Sequence, residues 1–322
     1  MKLHYLEFDC MDPYQNLALE ECILNRALPN EIFLYLWQNK NTVVIGKNQN
    51  PWRECNLANM ERDGCRLARR ITGGGAVYHD LGNLNFSFIV PKKVYDLPKQ
   101  LGIIIGALDA FSIKAEFSGR NDLLVHGSKF SGNAFCHRND FVLHHGTLLI
   151  NSDFSRFPEY LNVSNKKMQS KGVASVRSRV ANLSQFADIT VQNIKEPLIQ
   201  SFIHVFNGRL EDYPVEGILE SDVLKSLAAR NQSRDWLYHT SPKFNVTLEE
   251  RFNWGEVQLF LQVEKGIISE ISCYSDSLDE DISESALRVL TGCTYDAAVL
   301  RAVLEKSERQ LHDIIELVIE HM

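Results

Sequence analysis

The run Arg69-Arg70-Ile71-Thr72-Gly73-Gly74-Gly75-Ala76-Val77-Tyr78-His79-Asp80 holds the densest chemistry in this sequence. Three consecutive glycines carry no Cβ, so a ligand can touch backbone N–H groups directly. The two arginines before them offer fixed positive charge in a forked geometry that suits phosphate or carboxylate. No G-x-x-x-x-G-K-[ST] spacing is present, and Gly73-x-Gly75 lacks a third glycine at Tyr78, so neither a Walker loop nor a dinucleotide fingerprint is read here. A tight hairpin turn is the competing reading of the same residues.

Four further positions carry possible chemistry. In Ser128-Lys129-Phe130-Ser131-Gly132-Asn133-Ala134 a lysine opens a period-two strand beside a glycine that permits close approach. Otherwise it is a solvated edge charge. His144-His145-Gly146-Thr147 lies in an apolar run, and adjacent strand residues face opposite sides. At most one of these histidines therefore lines a given pocket, which weakens a metal-site reading and leaves a structural histidine as the alternative. Asp122 stands at a strand entrance, either as a local cap or as a ligand for magnesium, which takes one or two carboxylates beside substrate phosphates. Trp37 ends an apolar strand and belongs either to the core or to one wall of a slot for a long apolar substrate.

These residues must be held by recognisable elements. Asp12-Pro13 is a helix start, with an apolar stripe near Leu17, Leu24 and Leu28. Strands are expected at 32–37, 42–45, 66–70, 76–79 and 83–90, where NLNFSFIV alternates at period two. Between 51 and 63 a loop and a helix are expected, closed by Gly64. A helix over 97–111 is followed by strands near 115–117, 123–125, 129–137 and 142–150, then helices over 190–206 and 219–229. The polar stretch 162–182, with Lys166, Lys167, Lys171, Arg177 and Arg179, reads as a long loop. Past Ser241-Pro242, strands at 246–251, 256–263 and 267–274 and helices at 282–290, 296–306 and 307–321 fit a small α+β domain. The expected division is 1–245 and 246–322, and the absence of βαβα alternation argues against a doubly wound sheet.

Composition narrows the class. The 322 residues are 44% hydrophobic and 23% charged, which is globular usage, and the net charge of −7 argues against nonspecific nucleic-acid binding. No apolar run approaches the roughly 20 residues of a membrane helix. The opening MKLHYLEFDC has no apolar signal core, so a cytoplasmic protein is expected. Seven cysteines without a C-x-x-C pair support neither a disulfide framework nor a zinc pattern.

Read together, residues 69–80 with Leu81-Gly82-Asn83, 118–123 (SGRNDL), 129–134 (KFSGNA), 144–149 (HHGTLL) and 175–182 (SVRSRVAN) resemble the lipoate–protein ligase A family. Trp37 with 42–46, Gln49-Asn50-Pro51-Trp52, 251–255 (RFNWG), 263–266 (VEKG) and the stretch after Asp276-Ser277-Leu278 extend the resemblance over nearly the whole chain. It implies an α+β fold like biotin ligases and class II synthetase cores, a mixed, mainly antiparallel sheet with flanking helices, plus a small C-terminal α+β domain that moves between half-reactions. It implies activation of lipoate by ATP and Mg²⁺ to lipoyl-adenylate. Transfer then goes to one lysine of an apo lipoyl domain, in the glycine cleavage H protein or the acyltransferase subunits of 2-oxoacid dehydrogenase complexes. A monomer is expected, with neither nucleic acid nor membrane as partner.

Position by position, the resemblance makes Lys129 the reactive-site lysine and places Arg70, Gly75, Ala76, Val77 and Tyr78 in the ATP and adenylate loop. Asn83, Ala134, His145 and Thr147 match adenylate contacts. Leu17, Glu20, Trp37, Arg70, Thr72, Gly73, Gly74 and His79 match the lipoyl tunnel or its mouth, and Asp122 the metal-side carboxylate. Thr72 stands where related sequences often carry serine, and 124–128 is shorter than in a relative, which bears on the hairpin next to Lys129. The loop 162–182 is the expected lid that keeps water from the adenylate.

Two rivals are weighed against this. An ATP-independent octanoyl or lipoyl transferase needs a covalent or proton-relay group, often cysteine, and Cys136, the one cysteine near Lys129 in sequence, lacks an activating set of neighbours. A non-catalytic binder of lipoyl domains or lipoyl-adenylate has no need to keep Lys129, Arg70 and the glycine run together. The slot reading is testable: Trp37→Val should admit bulkier carboxylic acids, measured as acid selectivity, whereas unchanged selectivity places Trp37 in the core.

Overall fold

Asp12 caps the helix Pro13–Arg26 as expected, its carboxylate accepting from the Tyr14 and Gln15 amides, with Pro13 in the first turn. The computed structural model in which this is seen describes residues 1–118, 121–162, 180–238, 246–264, 266–305 and 307–322. Residues 163–179 of the expected lid, with the basic residues Lys166, Lys167, Lys171, Arg177 and Arg179, lie outside the described residues, as do Gly119, Arg120, Ser241, Pro242 and Lys265.

The chain forms two units that are not continuous in sequence: residues 1–44, 55–68 and 77–233, and residues 45–54, 69–76 and 234–322. In the first, the strands are β1 (Lys2–Glu7), β2 (Glu31–Trp37), β3 (Thr42–Ile45), β4 (Arg66–Arg69), β5 (Val77–His79), β6 (Asn83–Pro91), β7 (Ala115–Phe117), β8 (Asp122–Val125), β9 (Ser128–Arg138), β10 (Phe141–Leu149) and β11 (Arg209–Leu210), although the last residues of β3 and β4 belong to the second. Eight of them make one sheet in the order β11-β1-β2-β6-β10-β9-β8-β7, and β4-β3-β5 make a smaller one. From β2 to β7 every pairing of the large sheet is antiparallel, while β1 pairs in parallel with β2 and β11. The β1–helix–β2 crossover escaped the sequence reading. A parallel pair is joined by no local turn, and KLHYLE is too short to announce itself by periodicity.

Register gives the large sheet two faces. His144 stands opposite Phe88 and Phe135, and Leu34 opposite Phe88. This face joins the main core with Phe86, Ile104, Leu108 and Phe202, carried by the helices Leu97–Asp109 and Lys195–Phe206. On the opposite face, His145 stands opposite Ser87 and Ala134, and Thr147 and Trp37 opposite Asn85. The helix Pro13–Arg26 meets this polar face. Asn16 accepts from the Tyr35 hydroxyl at 3.1 Å and donates to the Gln38 carbonyl at 2.8 Å. Glu21 takes Arg138 at 2.8 Å and Arg230 at 2.6 Å. Burial pushes the Glu21 carboxyl up, but the two arginines outweigh it and hold it below its usual range.

Two helix starts differ from expectation for local reasons. The helix expected from 190 begins at Lys195, because Thr190 and Asn193 cap each other's amides at 3.1 and 2.7 Å in a turn. The helix expected at 219 begins at Asp222, capped by Ser221, which accepts from the Leu224 amide.

In the second unit β12 (Val246–Phe252), β13 (Gly255–Glu264) and β14 (Ile267–Ser275) form an antiparallel meander. The helices Ile282–Leu290, Ala297–Leu304 and Arg309–Glu320 pack on it through Val257, Leu259, Ala286, Leu300 and Ile314. The three strands and three helices lie where the alternation placed them.

His144 provides a pH probe of the core. Its ring is held between Gln100 at 2.7 Å and Asn133 at 2.9 Å, and burial, helped by His145, brings its pKa down from 6.5 to about 3. A group depressed in the folded state stabilises above its unfolded pKa and loses that stabilisation as pH falls toward the folded value. Replacing it in His144→Gln should therefore narrow the stability gap to wild type by up to about tenfold in folded/unfolded ratio per pH unit below about pH 6.5. Urea unfolding at pH 7, 6, 5 and 4 measures this, and a constant gap would contradict it.

Candidate active site

The hairpin carrying Lys129 turns on His126 and Gly127, both with positive φ (48° and 74°), the requirement of a two-residue type I′ turn. From it Val125 pairs with Ser128 and Leu124 with Lys129, but Leu123 pairs with Ser131. Phe130 is thus an extra residue, a β-bulge. Its consequence is directional. Leu123, Val125 and Phe130 belong to the apolar core, whereas Lys129 emerges on the polar face. There its Nζ lies 2.8 Å from Asp122 Oδ1, and a Cβ on Gly132 would come within 2.8 Å of that nitrogen. The Lys129 carbonyl accepts from the Ala181 amide at 2.9 Å. Segment 124–128 holds this tight turn.

On the same face Thr147 Oγ1 accepts from the Gly132 amide at 3.3 Å, and Ala134 stands opposite His145. Trp37 Nε1 donates to Ser87 Oγ at 2.9 Å, Ser87 donates to Glu20 Oε1, and His145 Nδ1 meets that oxygen at 2.8 Å. Asn83 donates to Asn85, and Asn85 to the Trp37 carbonyl. Leu17 is buried one turn before Glu20 on its helix. His79 is reached by Asn39 Nδ2 at 3.2 Å, with its ring 6.2 Å from Trp37. The first unit therefore groups Leu17, Glu20, Trp37, His79, Asn83, Asp122, Lys129, Ala134, His145 and Thr147 on and beside one sheet face. Val77 and Tyr78 lie on β5, where the Tyr78 ring packs against Phe157 and Tyr160 and its hydroxyl donates to Asn41.

Arg70, Thr72, Gly73, Gly74, Gly75 and Ala76 fall in the second unit. Arg70 curls over its own loop, donating to Thr72 Oγ1 at 2.9 Å and to the Gly73 and Gly75 carbonyls at 2.6 and 2.9 Å. The Gly74 amide donates to the Ser277 carbonyl at 2.6 Å. A Cβ at Gly73 would lie 2.5 Å from that oxygen and 2.9 Å from the Leu278 carbonyl, while a Cβ at Gly75 meets nothing within 4 Å. Part of the glycine run is therefore demanded by the strap at Ser277–Leu278, whatever ligand the loop also meets. Arg69 is buried and donates to the carbonyls of Gly46, Lys47, Gln49, Trp236 and Leu237. Its guanidinium wires loops together.

Ser87, Asn85 and Ser277 were missed in the sequence. Asn83, Asn85 and Ser87 alternate with apolar residues in NLNFSFIV, so a signal for a polar sheet face was present. Nothing local marks Ser277 as a neighbour of Gly74, 203 positions away by their numbers.

Residues 12–203 match the lipoyl protein ligase A/B catalytic domain, and residues 241–319 the bacterial lipoate protein ligase C-terminus. The chain belongs to the lipoyl protein ligase A/B family. It is similar to P. falciparum LipL1, solved in complex with lipoate, at 30% identity over 99% of both chains with a TM-score of 0.87. It resembles the bipartite lipoate protein ligase of Thermoplasma acidophilum, described with its E2 lipoyl domain, at 27% identity over 76% of this chain and 98% of that one, TM-score 0.65. A lipoate-protein ligase A bound with ATP shares 25% identity over 74% of this chain and 98% of that one, TM-score 0.62. These likenesses agree with the mixed, mainly antiparallel α+β fold and the small C-terminal α+β part.

The glycines separate structural from ligand-facing demand. Gly73→Ala should lower stability by about 1–3 kcal/mol, because the clash is with backbone. Gly75→Ala should leave the unfolding midpoint near wild type. Thermal unfolding of the two variants checks this, and equal midpoints would remove the strap's claim on Gly73.

Proposed function

We propose that this ligase-family chain activates free lipoate with ATP, releasing pyrophosphate, and passes the lipoyl group from lipoyl-AMP to a lysine of an apo lipoyl domain. We assign the chemistry to residues 1–245 and an accessory role to residues 246–322. The observation that carries this reading is Lys129, turned by the bulge onto the polar sheet face beside Asp122.

In the first step a lipoate oxygen attacks the α-phosphorus, the bond to the β-phosphate oxygen breaks, and pyrophosphate leaves. Charge gathers on non-bridging oxygens, so positioned cations and amide donors supply most of the catalysis, and no side-chain nucleophile is needed. Lys129 is our candidate for that cation. Arg70 and the backbone from Gly75 to Tyr78 are candidates for the nucleotide, with Asn83, Ala134, His145 and Thr147 for the adenylate. Leu17, Glu20, Trp37, Thr72, Gly73, Gly74 and His79 would meet the acyl end, where each buried CH₂ adds roughly 0.8 kcal/mol. In the second step the acceptor lysine's amine attacks the acyl carbon, AMP leaves, and the nitrogen gives up a proton.

Asp122 would hold Mg²⁺. Its Oδ1 is paired with Lys129, which leaves Oδ2 as the one hard oxygen it could give an ion that completes its shell with phosphate and water. Bound there, the ion supplies neutralisation of phosphate charge. Asp122 stands alone in this respect; the one group of metal-type side chains among the described residues, His312, Asp313 and Glu316, lies on the helix Arg309–Glu320, with Asp313 accepting from Trp254.

The acceptors we assign are the glycine cleavage H protein and the acyltransferase subunits of 2-oxoacid dehydrogenase complexes. As nucleophiles of a cysteine-based transferase, Cys22, Cys65 and Cys273 draw less support, since burial pushes the Cys22 thiol up and takes the other two to about 12.

The deciding assay incubates the chain with ATP, Mg²⁺, lipoate and an apo lipoyl domain and looks for lipoyl mass on the acceptor. Lys129→Ala should slow pyrophosphate release by about 100-fold or more. A near-wild-type rate would sink the assignment of Lys129. Acylation from an acyl-protein donor without ATP would favour the transferase, and lipoyl-AMP binding without turnover the non-catalytic binder.

A further inference from the structure

Ser87 sits fully buried in the middle of β6, outside every role that the resemblance distributes. Its hydroxyl lies between Trp37 Nε1 at 2.9 Å and Glu20 Oε1 at 2.5 Å. An indole N–H can only donate, so Ser87 Oγ accepts from Trp37 and its one proton goes to the Glu20 carboxylate. Glu20 is 1% exposed, and the oxygen that takes the Ser87 proton also takes His145 Nδ1. The chain of bonds therefore has one direction, from indole through hydroxyl to carboxylate. Leaving a buried indole N–H without an acceptor is costly, so this hydroxyl sets the angle of the ring. Tyr35 backs the indole in a stacked pair 6.0 Å between centroids.

We propose that Ser87 is a positioning residue for acid selectivity: tied to Glu20, its hydroxyl fixes the Trp37 indole as a rigid wall for the aliphatic end of the acid substrate. This rests on the reading of Trp37 as part of the lipoate slot. Without the hydroxyl the ring is released to turn, and the slot loses its sharp limit on substrate width. Glu20 acts in the same chain as the anchor of Ser87.

The test is calorimetric binding of octanoate, lipoate and a phenyl-terminated acid of similar length to the full chain, so it reads affinity and not turnover. Ser87→Ala should cut discrimination against the phenyl acid by about tenfold, the scale at which a small steric difference counts in an apolar pocket. Ser87→Thr, which keeps the hydroxyl, should restore it. In a Trp37→Phe background, where the donor is gone, Ser87→Ala should change discrimination less than about twofold, because the effect passes through the indole. A purely structural serine would shift both backgrounds equally, and that result overturns the proposal. So does wild-type discrimination in Ser87→Ala. Should the alanine variant not fold, Ser87→Cys keeps the volume with only a weak acceptor and carries the same comparison. If wild type binds none of the acids, or Trp37→Phe discriminates as wild type does, the slot reading itself fails. If Trp37→Phe loses discrimination and Ser87→Ala does not, only the role of Ser87 fails.

Discussion

One extra residue in β9 determines which side of the large sheet receives the Lys129 ammonium. Strand side chains alternate with period two, so the two positions from Lys129 to Ser131 would otherwise keep both on the apolar side. The bulge at Phe130 places Phe130 and Ser131 together toward the core and sends Lys129 across. A lysine under the helices would have to abandon hydration in an apolar layer, which is unfavourable without a partner. On the polar face it meets Asp122, which itself stands opposite Gly132, whose missing side chain leaves room for the ammonium. A turn, a bulge, a glycine and a carboxylate thus act as one device.

That device works only because the face it serves is already polar and already ordered. Trp37, Ser87, Glu20 and His145 are all buried, yet their polar atoms are joined in sequence. Burial without such bonds would destabilise the fold, so satisfying these groups fixes their orientation at the same time. The helix Pro13–Arg26 completes the face, pinned by Asn16 at its start and by Glu21 between two arginines. The other side of the same strands is conventional apolar core, interrupted by His144 between two amides.

The glycine run answers to a second constraint. Gly73 and Gly74 lie against the main chain at Ser277 and Leu278, and Arg70 bonds the loop's own carbonyls. Backbone bareness therefore serves close approach of chain to chain at Gly73, and leaves open space at Gly75. Arg69, next to Arg70 in sequence, reaches other segments instead, donating to the carbonyls of Gly46, Lys47, Gln49, Trp236 and Leu237. Two identical neighbours thus have distinct tasks, as expected where adjacent strand and loop residues point apart.

Much of this was legible in the residues alone. Asp12-Pro13, the alternation of NLNFSFIV and the turns after residue 246 are local signals, and local physics reads them: a cap, a period, a positive φ. The motifs also singled out Lys129, Asp122, His145 and Thr147, and the register of the strands brings them to one sheet face. The tertiary structure decided what local signals do not encode. It paired β1 with β2 in parallel across a helix, inserted the bulge at Phe130, tied Trp37 to Glu20 through Ser87, and laid Ser277 on Gly74. The physical reason is common to all four. Each is a contact between segments whose partner choice depends on registry and burial across the fold, and a chain read one residue after another carries periods and caps but not registry.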